Sequence, residues 1–448
     1  MRLTFYGGAE SVTGANYLLE LHGEKIIIDC GLTQGSGFCK ECIFTPFPYA
    51  VKDISAVVIT HAHIDHTGLV PKLYHEGFRG NVYSTPPTKS FAELLLTDSE
   101  HLLKEEARKY NKAPLYDLDD IAEAFSLWKE IPYEHHFSVG PFKIHFINAG
   151  HILGSASVVI EANGKKIVFS GDLGNTYETI IKPTTYVERA DYALVESVYG
   201  DRLHEEVEMR GEKLKKFVEK IINRGGTILI PAFAMERTQQ VLFELNNLIE
   251  QKKIPRVPVF LDSPLAIKLT EIYARYKSYF RSEVQKQIHS GDDIFKFSGL
   301  KKTLTSLESK KIWDGRGPKI IIAGSGMSNG GRILHHEKKY LPDPNNGILF
   351  IGYQAEETLG RAIKDGQRTV MIDEQKIPVR CEVEEISGYS AHADRDGLLK
   401  WVSSFKDKVK KIYVTQGENE VAENLAYFIK KRFKIEAIVP KERDSVVL

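Results

Sequence analysis

The sequence is poor in cysteine, tryptophan and methionine, and it contains no long apolar segment. Its 448 residues include four Cys, three Trp and five Met. No apolar run approaches the roughly 20 residues that a membrane-spanning helix requires, and the first residues form a strand-like segment without the apolar core of a signal peptide. These absences argue against a membrane-spanning protein and predict a cytoplasmic one with no membrane partner.

An excess of charge of either sign is also absent. Lys and Arg together number 60, as do Asp and Glu, so that the formal net charge is zero. Proteins that bind nucleic acids usually carry a basic excess. Because this chain has none, any basic surface that binds nucleic acid must be confined to a local cluster of Lys and Arg. Either the basic clusters form that surface, or they are solvated faces balanced by nearby Glu. The clusters are Lys301/Lys302, Lys310/Lys311, Lys408/Lys410/Lys411 and Lys430/Lys431/Arg432.

The four cysteines fall into two groups. Cys30 and Cys381 lie in apolar, strand-like segments, which predicts inert thiols. Cys39 and Cys42 form a Cys-x-x-Cys pair in a Gly-rich loop. Such a pair is half of a structural zinc site that a second subunit could complete, a disulfide if the source is a hyperthermophile, or an ordinary pair of loop thiols. All three interpretations stay open.

The first part of the chain alternates short apolar strands with polar loops. Strands are predicted at 26–29, 56–60, 143–148 and 166–170, and a helix is predicted at 87–108. Each strand leads into a segment that contains Asp or His. Strands that feed polar loops in this way are how α/β folds build active sites.

From about residue 211 the pattern changes to alternating strands and helices. Strands are predicted at 227–231, 257–261, 319–323 and 348–351, and helices at 212–224, 237–252 and 265–281. Strands separated by helices of this length predict a parallel sheet. The first pattern returns near the end, with a strand at 411–415 between helices at 398–405 and 420–433. The sequence therefore predicts an α/β protein in which a second domain is inserted within the first.

The segment 61–66, which reads His-Ala-His-Ile-Asp-His, directly follows a predicted strand. Imidazole and carboxylate groups are the usual ligands of hydrolytic zinc, and a tight loop can present them to two metal ions about 3.5–4 Å apart. His151 and Asp172 follow two other strands in the same way. Asp29, at the end of a further strand, could orient a ligand histidine through a hydrogen bond.

This arrangement resembles the metallo-β-lactamase superfamily, whose fold is an αββα sandwich. The resemblance implies two zinc ions and an acid that bridges them, Asp172. The other ligands of the first ion would be His61, His63 and His151. Those of the second ion would be Asp65, His66 and, as a weak ligand, Gln416.

Three further motifs resemble the β-CASP branch of that superfamily. Glu196 matches the acidic motif that opens the inserted domain, and His392 matches the second motif. The third motif normally reads His-Gly-Glu after a strand, whereas this chain has Gln416-Gly417-Glu418. The chain is similar to the nuclease subunits of pre-mRNA 3′-end cleavage complexes and to their short archaeal and bacterial relatives.

The resemblance covers nearly the whole chain. It implies a metallo-β-lactamase domain made of residues 1–205 and 381–448, and a β-CASP domain over 206–380 that is built on a parallel sheet flanked by helices. Segments 231–237 and 323–332 also fit the β-CASP pattern.

The Gly-rich segment in the inserted domain is a candidate phosphate site. Backbone N–H groups of Ser325, Gly326 and Met327 could bind a substrate phosphate, although a plain tight turn would use the same glycines. His335 and His336, further along, are predicted to lie on the surface or to contact RNA rather than bind metal.

The resemblance implies a zinc-dependent ribonuclease that cleaves single-stranded RNA, as an endonuclease or also as a 5′–3′ exonuclease, and that forms a homodimer. Asp65 would hold the attacking water, and His392, paired with Glu196, would protonate the leaving 3′-oxygen. Two alternatives stay open: a non-catalytic RNA-binding or processing subunit of the same fold, and a small-molecule metallo-hydrolase.

Gln416 departs from the family pattern. An amide oxygen is a neutral and weaker ligand than imidazole. The residue could bind metal poorly in a working enzyme, be an engineered substitution that disables the enzyme, or mark a natural pseudonuclease that binds RNA or a catalytic partner. The six other ligands are intact, which favours a nuclease scaffold with a weakened second metal site.

Overall fold

The computed structural model describes residues 1–34, 43–175, 178–204, 207–352 and 354–448. Cys39 and Cys42 lie outside these residues. The chain forms two compact units: the first unit is Met1–Leu203 with His392–Leu448, and the second unit is His204–Ala391. The predicted domain boundaries, 205/206 and 380/381, stay predictions, because a compact unit and a family domain need not share their ends.

The first unit contains two mixed β-sheets. The strands of the first sheet are β1 (Arg2–Gly7), β2 (Asn16–Leu21), β3 (Glu24–Cys30), β4 (Ala56–Val58), β5 (Asn81–Ser84), β6 (Trp128–Glu130) and β22 (Ser445–Val447), in the spatial order β22-β1-β2-β3-β4-β5-β6. Neighbours from β22 to β3 are antiparallel, and those from β3 to β6 are parallel.

Most of the loops that contain candidate site residues follow strands of the second sheet. Its strands are β7 (Phe137–Val139), β8 (Phe142–Asn148), β9 (Ala156–Ala162), β10 (Lys165–Phe169), β11 (Tyr192–Glu196), β20 (Lys411–Thr415) and β21 (Glu436–Ile438), in the order β21-β20-β11-β10-β9-β8-β7. Strands β10, β11 and β20 are mutually parallel, and β9 is antiparallel to both β8 and β10. Strand β8 therefore runs in the same direction as β10, β11 and β20.

The two sheets pack face to face with helices outside them. In β10, Ile167 and Phe169 join a core shared with the first sheet, while Val168 points to a second core that contains Trp401 and Leu425. This alternation is what a strand buried on both faces requires. The helices of this unit are α1 (Ile64–Thr67), α2 (Val70–His75), α3 (Pro86–Lys109), α4 (Leu118–Ser126), α12 (Arg395–Ser403) and α13 (Asn419–Phe433). The αββα sandwich is confirmed.

The second unit is built on a parallel sheet. Its strands are β12 (Thr227–Pro231), β13 (Val259–Asp262), β14 (Leu300–Lys302), β15 (Lys319–Ala323), β16 (Gly347–Phe350) and β19 (Glu382–Glu385), in the order β14-β13-β15-β12-β16-β19. The helices are α5 (Val207–Asn223), α6 (Arg237–Glu250), α7 (Pro264–Arg275), α8 (Ser282–His289), α9 (Ser306–Lys311), α10 (Ile333–Tyr340) and α11 (Leu359–Lys364). Strands β17 (Thr369–Ile372) and β18 (Gln375–Pro378) form a separate hairpin.

Most predicted elements are present, but the helix predicted at 265–281 is wrong at its end. Helix α7 stops at Arg275, and a short 3-10 turn leads into α8. The chain leaves the helix before Phe280, which is fully buried and packs edge-on against Phe295. Within the part of the chain that the structure describes, every helix is too short or too polar to span a bilayer.

The surface position predicted for His336 is also wrong. His336 is fully buried, and its Nε2 lies 2.7 Å from a carboxylate oxygen of Asp262. Its Nδ1 accepts a hydrogen bond from the indole N–H of Trp313, which leaves the imidazole proton on Nε2 for Asp262. His335, by contrast, is exposed. The two adjacent histidines of α10 therefore have different environments.

The thiols predicted to be inert are buried. Cys30 and Cys381 lie in the interior of their units. Burial raises the pKa of the Cys381 thiol to about 12 and raises that of Cys30 further. Neither group is a thiolate near neutral pH, as expected of an unreactive cysteine.

Candidate metal centre

The second sheet places four polar positions at one edge. His151 follows β8, Asp172 follows β10, Glu196 ends β11 and Gln416 follows β20. Because these strands run in the same direction, their carboxyl ends meet at the same edge of the sheet. His61 follows β4 of the first sheet after two residues and reaches the same place, as the distances below show.

Four potential ligand atoms converge, one from each of His61, His63, His151 and Asp172, all within 4.8 Å of one another. Nδ1 of His63 lies 3.0 Å from Nε2 of His61 and 3.2 Å from Nε2 of His151. Oδ2 of Asp172 lies 3.5 Å from each of those Nε2 atoms. Tetrahedral ligands placed 2.0–2.1 Å from a zinc ion are about 3.3 Å apart. The donor set and its spacing therefore fit one zinc ion.

A hydrogen-bond relay orients the first of these ligands. Asp29 accepts hydrogen bonds from the backbone N–H and the hydroxyl of Thr60, both at 2.8 Å. Because the Thr60 hydroxyl donates to Asp29, its oxygen can accept from Nδ1–H of His61, which lies 3.1 Å away. That tautomer leaves the lone pair of His61 on Nε2, the atom that faces the other ligands. Asp29 therefore acts on His61 through Thr60, in addition to its own contact with His66.

The protonation states at this position suit a cation. Burial lowers the pKa of His61 well below its usual value, and the neighbouring His66 lowers it further. Burial opposes ionisation of Asp172, but the imidazoles of His66 and His61 outweigh it and hold the pKa of that carboxyl well below its usual range. A neutral imidazole and an ionised carboxylate are the forms that bind metal.

A second group of side chains surrounds His66. Its Nε2 lies 3.3 Å from Oδ1 of Asp172 and 3.8 Å from Oδ2 of Asp65. Burial opposes the charged imidazole, but the carboxylates of Asp172, Asp29 and Asp65 outweigh it and raise the pKa of His66. Burial also raises the pKa of the Asp65 carboxyl. This position therefore attracts positive charge.

Gln416 occupies this second position with its amide nitrogen. Nε2 of Gln416 lies 3.0 Å from Nε2 of His66 and 2.9 Å from Oδ1 of Asp172. An amide nitrogen carries two hydrogens and no lone pair that binds a cation. Some groups of described residues bring their ligand atoms close enough together to hold a metal ion. Neither Asp65 nor His66 belongs to such a group. The side chains as placed at Asp65 and His66 therefore do not fit an ion there.

Glu196 and His392 meet beside the first position. Oε1 of Glu196 lies 3.3 Å from Nδ1 of His392, and Oδ2 of Asp172 lies 3.8 Å from the same nitrogen. Burial raises the pKa of Glu196. The His392 ring lies 4.4 Å from the ring of His151 and is partly exposed. An imidazole at this place can exchange a proton with a group that lies on the first metal position.

The loop that contains Ser325, Gly326 and Met327 belongs to the second unit. The backbone N–H of Ser325 donates to the carbonyl of Gly330, and the Ser325 hydroxyl oxygen accepts from the N–H of Asn329 at 3.0 Å. The Gly326 carbonyl accepts from the side-chain amide of Gln354. The loop is therefore closed on itself and anchored.

Thr60 and Ser155 also shape the metal centre, and neither was predicted from the sequence. Thr60 orients His61, and the Ser155 hydroxyl oxygen accepts the backbone N–H of His151 at 3.0 Å. The position of Thr60 directly before the first histidine was a usable signal. Ser155 offered none, because its role depends on the turn that follows β8.

Known protein families match three parts of the chain. The metallo-beta-lactamase superfamily matches residues 12–222, the Beta-Casp domain matches 238–363, and the Zn-dependent metallo-hydrolase RNA specificity domain matches 376–440. These matches are in the order that the sequence motifs predicted.

Proteins similar to the whole chain have also been described. A ribonuclease of Thermus thermophilus is 36% identical over 94% of this chain and 94% of its own length. An RNase J-like protein of Methanocaldococcus jannaschii is 31% identical over 98% of this chain and 97% of its own length. A transcription termination factor of the same archaeon is 31% identical over 100% of this chain and 71% of its own length.

A solved structure shares the fold. The crystal structure of a protein of unknown function from Enterococcus faecalis V583 aligns over 100% of this chain and 99% of its own, with a TM-score of 0.58 and 12% identity. That likeness concerns the fold alone. The family matches and the 36% identity to the Thermus protein lead to one assignment. The chain belongs to the metallo-β-lactamase superfamily and, within it, to the β-CASP branch.

Proposed function

We propose that the chain is a zinc-dependent ribonuclease that hydrolyses phosphodiester bonds of single-stranded RNA. The observation that carries this proposal is the convergence of three imidazoles and one carboxylate within 4.8 Å of one another. The names of its relatives, a ribonuclease and an RNase J-like protein, support RNA as the substrate. The match to an RNA specificity domain supports it independently.

The zinc ion would be held by His61, His63, His151 and Asp172. When bound there, zinc supplies Lewis acidity, which lowers the pKa of water toward neutral pH and offsets negative charge on phosphate oxygens. Asp172 has a second oxygen that points away from this position toward His66 and Gln416. The Thr60 relay keeps the Nε2 lone pair of His61 directed at the ion.

His392 and Glu196 would carry the proton that the reaction needs. Attack of water on phosphorus breaks the bond to the 3′-oxygen, which leaves as an alkoxide unless it receives a proton. His392 is partly exposed and adjacent to the metal position, so that it can donate that proton. The buried Glu196 carboxylate orients the imidazole and favours its charged form. Asp65 would accept a hydrogen bond from the attacking water.

The Gly-rich loop would bind a phosphate of the RNA. The proposed donors are the backbone N–H groups of Gly326 and Met327, because the N–H of Ser325, the third expected donor, already donates to the carbonyl of Gly330. The anchoring of the loop by Gln354 and Asn329 supports this role, because a preformed loop loses little conformational entropy when it binds an anion.

Several finer points stay predictions. They are a homodimer, a cytoplasmic location, and the balance between endonuclease and 5′–3′ exonuclease action. The second zinc ion expected at Asp65 and His66 is disfavoured by the position of the Gln416 amide.

One specific observation favours a second candidate function. The Gln416 amide faces His66 and Asp172 with hydrogen-bond donors, which weakens the case for full two-metal catalysis and would suit a subunit that binds RNA without cleaving it. Cleavage by the unaltered chain and by Gln416→His distinguishes the two functions. RNA binding without cleavage by either chain would support the non-catalytic subunit.

The proposed function is tested with end-labelled single-stranded RNA. We expect the zinc-loaded chain to cleave it, and His151→Ala to lose most cleavage because the variant removes one of the four zinc ligands. Lys25→Ala is the matched control, since Lys25 forms a surface ion pair with Asp53 that lies in another part of the unit. Equal cleavage by His151→Ala and the control would contradict the proposed site.

A further inference from the structure

The Gln416 side chain has an orientation that its chemistry constrains. Its terminal amide could in principle be rotated, which would exchange the nitrogen and the oxygen. The atom in question lies 2.9 Å from Oδ1 of Asp172. With no cation between them, an oxygen there would face a carboxylate oxygen at hydrogen-bond distance without a hydrogen to share. The nitrogen instead donates to Asp172 and satisfies that carboxylate oxygen with no ion present.

The contact with His66 places the amide at the second position. Nδ1 of His66 lies 2.7 Å from Asp29, so that Nε2 is the ring nitrogen directed toward Gln416. Nε2 lies 3.0 Å from the Gln416 nitrogen and 3.3 Å from Oδ1 of Asp172. The amide group therefore lies beside the two atoms through which these side chains would hold a second metal ion.

The backbone holds Gln416 in this position. Its N–H donates to the carbonyl of Gly8 at 2.7 Å, and its own carbonyl accepts from the N–H of Ser197 at 3.3 Å. Gln416 has a positive φ of 50°, and 3% of the residue is exposed. A Cβ atom on Gly8 would lie 3.3 Å from Cγ of Gln416, so the side chain is also closely packed. These contacts fix the backbone and the Cγ atom from which the amide reaches the site.

We infer that the Gln416 amide group takes the place of a second metal ion, and that this chain works with a single zinc ion held by His61, His63, His151 and Asp172. This inference rests on the proposed metal centre. The amide donates to the second oxygen of Asp172 and contacts His66 without adding charge. It thereby keeps both side chains in the orientation that a second ion would otherwise impose.

A single ion has a consequence for the reaction. Two metal ions stabilise both the attacking and the leaving oxygen, whereas one ion offsets less charge on the phosphate. The chain therefore depends more on His392 to stabilise the leaving group. Gln416→His should bind a second ion and cleave RNA faster than the unaltered chain.

The inference is tested by counting zinc ions. The full-length chain is loaded with excess zinc, dialysed free of unbound ion, and measured by inductively coupled plasma mass spectrometry against protein concentration. We expect one zinc ion per chain in the unaltered protein and two in Gln416→His, because imidazole offers a lone pair where the amide offers hydrogens. His66→Ala separates the two positions: it should leave one ion in the unaltered background and reduce Gln416→His from two ions to one.

The possible outcomes bear on different claims. Two zinc ions in the unaltered chain would overturn the inference, and so would a single ion in both the unaltered chain and Gln416→His. No zinc in either chain would instead refute the proposed metal centre. Native mass spectrometry of the unaltered chain gives its ion count even if a variant does not fold.

Discussion

The carboxylate of Glu196 is fully buried and lies 3.3 Å from Nδ1 of His392. It also accepts hydrogen bonds from the backbone N–H groups of Leu173 at 2.7 Å and Val198 at 3.2 Å. These bonds fix the carboxylate independently of His392. Glu196 is therefore a rigid support that positions the imidazole beside the metal site. Replacing Glu196 and replacing His392 should therefore slow RNA cleavage to different extents.

His392→Ala should slow RNA cleavage by about 10²- to 10⁴-fold, because it removes the proposed proton donor to the leaving oxygen. Zinc content should not change, since His392 is not one of the four converging ligands. Glu196→Gln keeps an oxygen for the Leu173 N–H and should slow cleavage less. Rates and zinc content are measured on the same preparations. Loss of zinc from His392→Ala would contradict the role assigned to it.

Asp29→Ala should destabilise the first unit by about 3 kcal/mol, because it leaves buried donors of Thr60 and His66 without their acceptor. Asp29→Asn retains one acceptor oxygen and should cost less. Asp53→Ala is the control, since Asp53 pairs with Lys25 on the surface and such pairs contribute little. The measurement is urea unfolding of the three variants. An Asp29→Ala midpoint equal to that of the control would show that the relay does not stabilise the loop.

Glu337 should make stability depend on pH. Burial raises the pKa of Glu337 to about 8, and the Ser328 hydroxyl donates to it. In the unfolded chain the group releases its proton near its ordinary value of 4.5, whereas the folded chain holds that proton up to about pH 8. The free energy of unfolding should therefore fall as pH rises from about 4.5 to about 8 and then level off.

Glu337→Gln removes this dependence because an amide does not titrate. We expect the variant to match the unaltered chain near pH 4.5 and to exceed it near pH 8 by up to about 4 kcal/mol. Denaturant unfolding of both chains across this pH range gives the difference. Curves that stay parallel would show that Glu337 ionises at the same pH in the folded and unfolded chain.

Gly326→Ala tests the proposed phosphate loop. A Cβ atom at this position would lie 2.8 Å from the backbone nitrogen of Phe233, so that the loop must shift. At Gly330, in the same loop, a Cβ atom would meet nothing within 4 Å. We expect Gly326→Ala to raise the KM for single-stranded RNA by about tenfold or more, and Gly330→Ala to change it little. Equal KM values would argue against phosphate binding by this loop.

The convergence of the four side chains at the first position could be predicted from the sequence because the information was local. The ligands lie directly after apolar strands, and parallel strands bring their carboxyl ends to one edge. The spacing of His61 and His63 and the positions of His151 and Asp172 therefore sufficed. The alternation of strands and helices likewise predicted the inserted parallel sheet, whereas the αββα sandwich was implied by the resemblance to the metallo-β-lactamase superfamily.

The sequence could not predict features that depend on distant partners. The amide of Gln416 is oriented by Asp172 and His66, which lie 244 and 350 positions away in the chain. His336 is buried because Asp262, 74 positions earlier, accepts its proton. Residues of mixed polarity in a short helix gave no sign of that partner, and the histidine was therefore expected on the surface.

The central claim is that a zinc ion held by His61, His63, His151 and Asp172 is required for RNA cleavage. It is tested most directly by removing zinc with a chelator, verifying its absence, and adding zinc back in steps while cleavage of single-stranded RNA is measured. Cleavage is expected to vanish without zinc and to return in proportion to the ion bound. A zinc-free chain that cleaves RNA at an undiminished rate would contradict the claim.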